Sequence, residues 1–275
     1  MSWEKLIKEN KPLVITGTIN AYSALLAERA GIKAIYLSGG GVANASYGLP
    51  DLALTSREDV LEDVRRIRSA TELPLLVDID TGWGSALSIS RTIKEMISAG
   101  ASGVHIEDQV SEKRCGHRPN KEIVSSEEMV DRIKAAKDAQ TDDNFLLMAR
   151  TDAFAKGGLH EVIDRSNAFI EAGAGAIFPE AISTLKDYGE ISKNVSKPIL
   201  ANITEFGMTP LFSHNDLANA GVKIVLHPLS AFRAMSKAAE KVYATLASGG
   251  DHEGLLDKMQ TRDELYDVLD YHMYE

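Results

Sequence analysis

Eight times along the chain a short apolar run, rich in β-branched residues, gives way to a stretch with helical spacing, and this alternation restricts the fold more than any single residue does. The runs are Leu13–Thr16, Ala34–Leu37, Pro74–Ile79, Gly103–Ile106, Phe145–Ala149, Ala176–Phe178, Pro198–Ala201 and Lys223–Leu226. Between them the three- and four-residue spacing of apolar side chains predicts amphipathic helices over Tyr22–Ala30, Ser56–Ser69, Ser85–Ser98, Ser126–Ala139, Leu159–Ala172 and Ala231–Ala247. Several of these segments stop at an Ala-Gly pair, with Gly31, Gly100, Gly173 and Gly221 able to take the left-handed conformation that ends a helix. Strand-helix alternation calls for a parallel sheet of βα units, and eight units close into an α/β (β/α)8 TIM-type barrel. Such barrels reach about 250 residues as one unit, so residues 1–275 are read as a single domain with an extra C-terminal helical segment at 253–275. That segment, ending DELYDVLDYHMYE, packs either on its own barrel or on a neighbouring subunit.

The chain carries 30 Lys and Arg against 40 Asp and Glu, a net charge of −10, and the basic residues are scattered. A nucleic-acid binder needs them clustered, so that class is excluded. The start, MSWEKLIKENKP, lacks the apolar run of a signal peptide, and no 20-residue apolar segment could cross a bilayer. A cytoplasmic protein without a membrane partner is expected. With Cys115 alone there is no intrachain disulfide.

In a parallel barrel the chemistry gathers where strands end, and polar residues follow the apolar runs here: Ser38-Gly39-Gly40-Gly41, Asp78 and Asp80, Glu107-Asp108, Arg150-Thr151-Asp152, Glu180, then Asn202 and Thr204. Asp78 and Asp80 in LLVDIDTGWG are two residues apart and point the same way along a strand. Their oxygens suit Mg²⁺ or Mn²⁺; the alternative is that one caps the next helix and the other is solvated. The loop KRCGHRPNK, Lys113 to Lys121, flanks Cys115 with Arg114, His117 and Arg118, a setting that favours thiolate and fits Cys115 as acid or base. Its alternative is a passive loop cysteine. Arg150, Arg233 and Arg262 are candidates to grip carboxylates, and Glu180 is a metal-associated carboxylate or a helix-start residue. His105 and His227 read as structural.

In sequence order, YLSGGG, LPD at 49–51, LVDIDTGWG, HIEDQ, KRCGHRPNK, ARTDA, FPEA, ANITEFG and PLSAFRA resemble the signature segments of the isocitrate lyase and phosphoenolpyruvate mutase superfamily, with MQTRDELY extending the likeness to Tyr266. Cys115 places the resemblance with the lyase members. It is closer to those acting on 2-methylisocitrate than to isocitrate lyase itself, which is longer, carries an inserted segment and has Lys in place of Arg114. The resemblance implies Mg²⁺-dependent cleavage of 2-methylisocitrate to pyruvate and succinate by a cytoplasmic homotetramer of the methylcitrate cycle. It implies that Asp78 and Asp80 hold the metal, with Glu107 and Asp51 as outer support. Ser38, Gly39 and Gly40, with Arg150, would bind the pyruvate-forming end, and Cys115 would exchange a proton with the succinate carbon. Gly116, His117, Glu180, Asn202, Ile203, Thr204, Arg233 and Arg262 would line the pocket. The chain ends earlier than family members do, at Glu275, which limits how much of their subunit-exchanging C-terminal helix is expected. The chemistry also wants a base for the substrate hydroxyl, for which Tyr36 is the candidate. Two alternatives stand beside this reading. Isocitrate lyase, giving glyoxylate, differs by one methyl group, worth only about 1–3 kcal/mol of discrimination; from another class, a non-catalytic barrel would merely bind dicarboxylates.

Overall fold

The computed structural model describes residues 2–118, 120–251 and 253–275, so Pro119 of the cysteine loop lies outside them. All eight expected strands are present: β1 Leu13–Gly17, β2 Ile35–Leu37, β3 Leu75–Asp78, β4 Gly103–Glu107, β5 Leu146–Thr151, β6 Ala176–Pro179, β7 Leu200–Asn202 and β8 Ile224–His227. Paired neighbours run parallel in the order β6-β5-β4-β3-β2-β1-β8-β7. A parallel bridge between Ile177 and Ile199 joins the two ends, so the sheet closes on itself.

The helices are α1 Trp3–Glu9, α2 Ala21–Arg29, α3 Gly39–Gly41, α4 Arg57–Arg68, α5 Ala86–Ser98, α6 Ser126–Asp138, α7 Phe154–Glu171, α8 Leu185–Asn194, α9 His214–Asn219, α10 Ser230–Ala247 and α11 Arg262–Leu269. Their starts carry the expected chemistry: Ser56 caps α4 by accepting from Asp59 N while Asp59 accepts in return, and Thr261 and Glu264 do the same at α11. Gly31, Gly100, Gly173 and Gly221 all have positive φ, as the stop signals require. Periodicity missed α1 and α9, which are too short to show a face, and α8, where charged residues interrupt it. It also placed the start of α7 late, because Gly158 at φ 67° kinks the helix after its first turn.

Two apolar layers result from the strand period of two. Leu13, Ile15, Leu76, Met148, Phe178, Leu200, Ile224 and Leu226 fill the barrel interior. Residues of opposite parity, such as Leu37, Val77, Val104, Leu147 and Val225, pack outward against Val60, Ile93, Ile133, Phe169 and Ile191 of the helices. Trp3 of α1 closes the bottom, its Nε1 donating to Ser102 O at 2.8 Å. Gly103 permits this, since a Cβ there would sit 3.3 Å from that indole nitrogen and 2.8 Å from Leu146. At the other extreme, α10 has no buried residue, and Met235, Tyr243 and Leu246 stand exposed on it. The tail touches its own barrel at α2, where Tyr22 Oη donates to Gln260 Oε1 at 2.8 Å. Among the described residues no helix is long and apolar enough to cross a membrane.

Candidate active site

Following the inward parity of each strand to its carboxyl end gives the site. Tyr36 leads to Ser38, Leu76 to Asp78, His105 to Glu107, Met148 to Arg150, Phe178 to Glu180, and Leu200 to Asn202. Side chains that alternate on one face therefore pass from an apolar plug to a polar mouth within a single step. The mouth holds a cavity of about 330 Å³ lined by Tyr36, Ser38, Gly40, Asp51, Asp78, Cys115, Gly116, His117, Arg150, Glu180, Asn202, Thr204 and Arg233. A larger cleft, about 840 Å³, lies under α1 at the opposite end, but its charged lining is mainly exposed lysines with Glu4 and Asp143, and it holds neither a thiol nor an imidazole. The mouth is the better candidate on chemistry.

Asp78 is almost fully engaged: its Oδ2 accepts from Gly39 N and its Oδ1 from Asp80 N, each at 3.0 Å. Gly39 serves through its backbone. A Cβ on it would lie 3.0 Å from Asp80 Oδ1 and 3.2 Å from Asp78 Oδ2, which locates both carboxylates against one patch of main chain. Asp80 turns back at φ 49°. Its Oδ1 is buried and accepts no well-formed hydrogen bond, with the Lys113 ammonium beside it as ion-pair partner. Lys113 also reaches Asp51 Oδ1 at 2.9 Å. Burial opposes ionisation of Asp78, but His105, Lys113 and Arg150 together hold its carboxyl below the usual range. Burial, with Asp78 adding to it, pushes Asp80 up to about 7 against the pull of Lys113. Two carboxylates facing one spot beside a single ammonium fit a hard divalent cation. Among the described residues no three His, Cys, Asp or Glu side chains surround a single point. Two carboxylates would leave the remaining positions of such a cation to water and substrate, as Mg²⁺ commonly binds.

Arg150 is the electrostatic centre of the opposite wall. Its Nε lies 2.9 Å from Asp152 Oδ2 and 3.3 Å from Glu107 Oε2, its Nη2 lies 3.2 Å from Glu180 Oε2, and its guanidinium sits 5.1 Å over the Phe178 ring. Glu107 is wholly buried with no hydrogen bond to either oxygen, and burial raises its carboxyl well above the ordinary value despite Arg150. His117 Nδ1 accepts from Met208 N at 3.0 Å, which leaves Nε2 to carry the proton and face Glu180 Oε1 at 3.3 Å.

Several expectations change. The basic residues around Cys115 do not make it a thiolate: burial, with Asp51 and Glu180 nearby, pushes the thiol up, so it keeps its proton at neutral pH. Tyr36 is also held protonated, by burial first and then by Asp78, so its phenol is poised to donate rather than to act as the hydroxyl base. His105, read as structural, sits directly beneath the site. Its Nε2 lies 2.9 Å from Tyr36 Oη and 3.4 Å from Asp78 Oδ1 under the cavity, and burial lowers it to about 4, keeping the ring neutral. The stride from Gly103 through His105 to Glu107 could have revealed this. Ile203 faces the outer core, as it must between the inward Asn202 and Thr204, so its side chain is absent from the cavity. Arg262 is exposed at the start of α11, which packs on α2 and leaves it outside the cavity of its own chain. Lys113, quoted only as part of a motif, proves to bridge two acids from different units.

Comparison with known proteins agrees with this architecture. The model of the phosphoenolpyruvate phosphomutase family matches residues 3–247. A 2-methylisocitrate lyase of Escherichia coli is 60% identical over 271 residues, covering 98% of this chain and 91% of the relative. One from Shewanella oneidensis is 58% identical over 275 residues, covering 100% of this chain and 94% of its own. Among solved structures, a phosphonopyruvate hydrolase in complex with oxalate and Mg²⁺ superposes with a TM-score of 0.85 at 29% identity, over 98% of this chain and 94% of that one. With a matching fold and similarity along its full length, this chain belongs to the phosphoenolpyruvate phosphomutase family.

Proposed function

We propose that this chain is a carbon–carbon lyase that cleaves 2-methylisocitrate to pyruvate and succinate at the barrel mouth, with Mg²⁺, or Mn²⁺ in its place, held by Asp78 and Asp80. The carrying observation is that the Cys115 thiol lies on the rim of a cavity whose other side presents the paired carboxylates. The reaction asks for that division. The hydroxyl proton passes to a carboxylate lining the mouth, the adjacent carbon–carbon bond breaks, its electron pair passes into the neighbouring carboxylate, and a proton must then reach that carbon. When bound, the metal lowers the hydroxyl pKa and stabilises the new keto acid. Ser38, Gly40 and Arg150 hold the pyruvate-forming carboxylate, Arg150 contributing a fork kept charged by three buried acids. His117, Asn202, Thr204 and Arg233 bind the succinate end, where donors meet charge as it develops. Tyr36 donates within the floor, and Glu107 and Asp51 support the wall and Lys113. Cys115 gives its proton to the succinate carbon, a task for a thiol and not for a thiolate.

The exposed apolar face of α10 supports assembly into the homotetramer that the resemblance implies, with a small soluble substrate suited to a cytoplasmic enzyme. The test is keto-acid release by the pure protein with 2-methylisocitrate or isocitrate, with and without EDTA. Pyruvate forms faster than glyoxylate, and EDTA abolishes both. Predominant glyoxylate would reassign the substrate, and no product from either would leave only a binding barrel.

A further inference from the structure

The loop bearing Cys115 is tied to the barrel in successive places. Gln109 clasps its near end, donating from Nε2 to Arg114 O at 2.9 Å and accepting at Oε1 from Arg114 N at 3.0 Å. Past its far end, Val110 N donates to Glu122 O at 3.0 Å and Gln109 bridges to Ile123. The tip between is gripped from the far end by Lys121. Its Nζ donates to Gly116 O and to Asp152 Oδ1, the carboxylate whose other oxygen accepts from Arg150 Nε. The Lys121 side chain is 4% exposed and that of Asp152 is fully buried.

We propose that Lys121 is a positioning residue: by holding the Gly116 carbonyl and sharing Asp152 with Arg150, it sets Cys115 against the substrate carbon while the proton moves. A buried ammonium is costly unless its acceptors are in place. These two come from different parts of the fold, the loop tip and the end of β5, so Lys121 satisfies both only while Gly116 rests beside Asp152. Gly116 transmits the position closely. A Cβ there would lie 2.3 Å from Arg150 Nη2 and 2.6 Å from Glu180, so the peptide lies directly on the substrate-binding wall, next to Cys115 in the chain. The inference rests on Cys115 being the proton donor and adds what aims it. Displacements on the order of 1 Å at a reacting group cost about 100-fold.

The test compares wild type with Lys121→Met and Lys121→Arg. Cys115 is the only cysteine, so iodoacetamide labelling read by mass spectrometry reports on it alone. In wild type, Mg²⁺ with pyruvate and succinate slows labelling. Lys121→Met loses that protection, and kcat falls about 10–100-fold with KM little changed; Lys121→Arg, which keeps the donors, restores both in part. Thermal melts identify the folded fraction of each variant. A lower Tm with wild-type protection and wild-type kcat per folded molecule would overturn the proposal. Full activity in alkylated wild type would instead overturn the Cys115 reading itself, and the role of Lys121 with it.

Discussion

Cys115→Ser lowers kcat by about 10²–10⁴-fold, the range contributed by a positioned acid or base, while pyruvate and succinate still bind. The hydroxyl nearly matches the thiol in size but holds its proton far more tightly, so the pocket survives and the donor does not. The wild-type pH profile carries a second signature. Burial raises the Cys115 pKa, so the acid form persists through neutrality, and the alkaline loss of cleavage falls above the ordinary thiol value of about 8.5. Kinetics of the variant and a kcat–pH profile check both statements. Wild-type-like turnover in the serine variant would remove Cys115 from the mechanism.

Arg150→Met abolishes measurable cleavage and also destabilises the barrel. The substitution leaves Glu107, Asp152 and Glu180 buried without their shared cation, and Glu107 already lacks any hydrogen bond. Breaking a buried pair from one side costs about 3–5 kcal/mol, which corresponds to a Tm lower by roughly 6–20 °C. Arg150→Lys separates the two effects: it keeps the charge and recovers part of the stability, but cannot reproduce the planar fork, so activity stays low. Calorimetry beside steady-state kinetics reads this out. Unchanged Tm in the methionine variant would mean that the three acids hold one another's protons and that Arg150 is not their partner.

The strands, most helices and the stop glycines were legible because each is a local property of a few consecutive residues. The polar mouth was legible for a related reason, since strand period two and the barrel rule together place Asp78, Glu107, Arg150 and Glu180 without any tertiary information. What failed to show was set by contacts between units. Lys113 meets Asp51 across 62 residues of sequence separation, and nothing near either residue announces the other. The protonation of Cys115 was misread because its neighbours in sequence are basic, whereas burial and the acids Asp51 and Glu180, brought in by folding, outweigh them. Ile203 was carried along with Asn202 and Thr204, although the alternation used elsewhere turns its side chain to the outer core. Arg262 depends on where α11 packs, which no periodicity specifies.

Cleavage of 2-methylisocitrate in D₂O with Mg²⁺, followed by locating the label in both products, tests the central claim most directly. The bond that breaks leaves the pyruvate methyl group intact and delivers one new hydrogen to succinate. The expected products are therefore unlabelled pyruvate and succinate carrying a single deuterium on one face, because Cys115 donates from one side of the cavity. Succinate labelled equally on both faces, or deuterium placed in pyruvate instead, would contradict a proton delivered by Cys115.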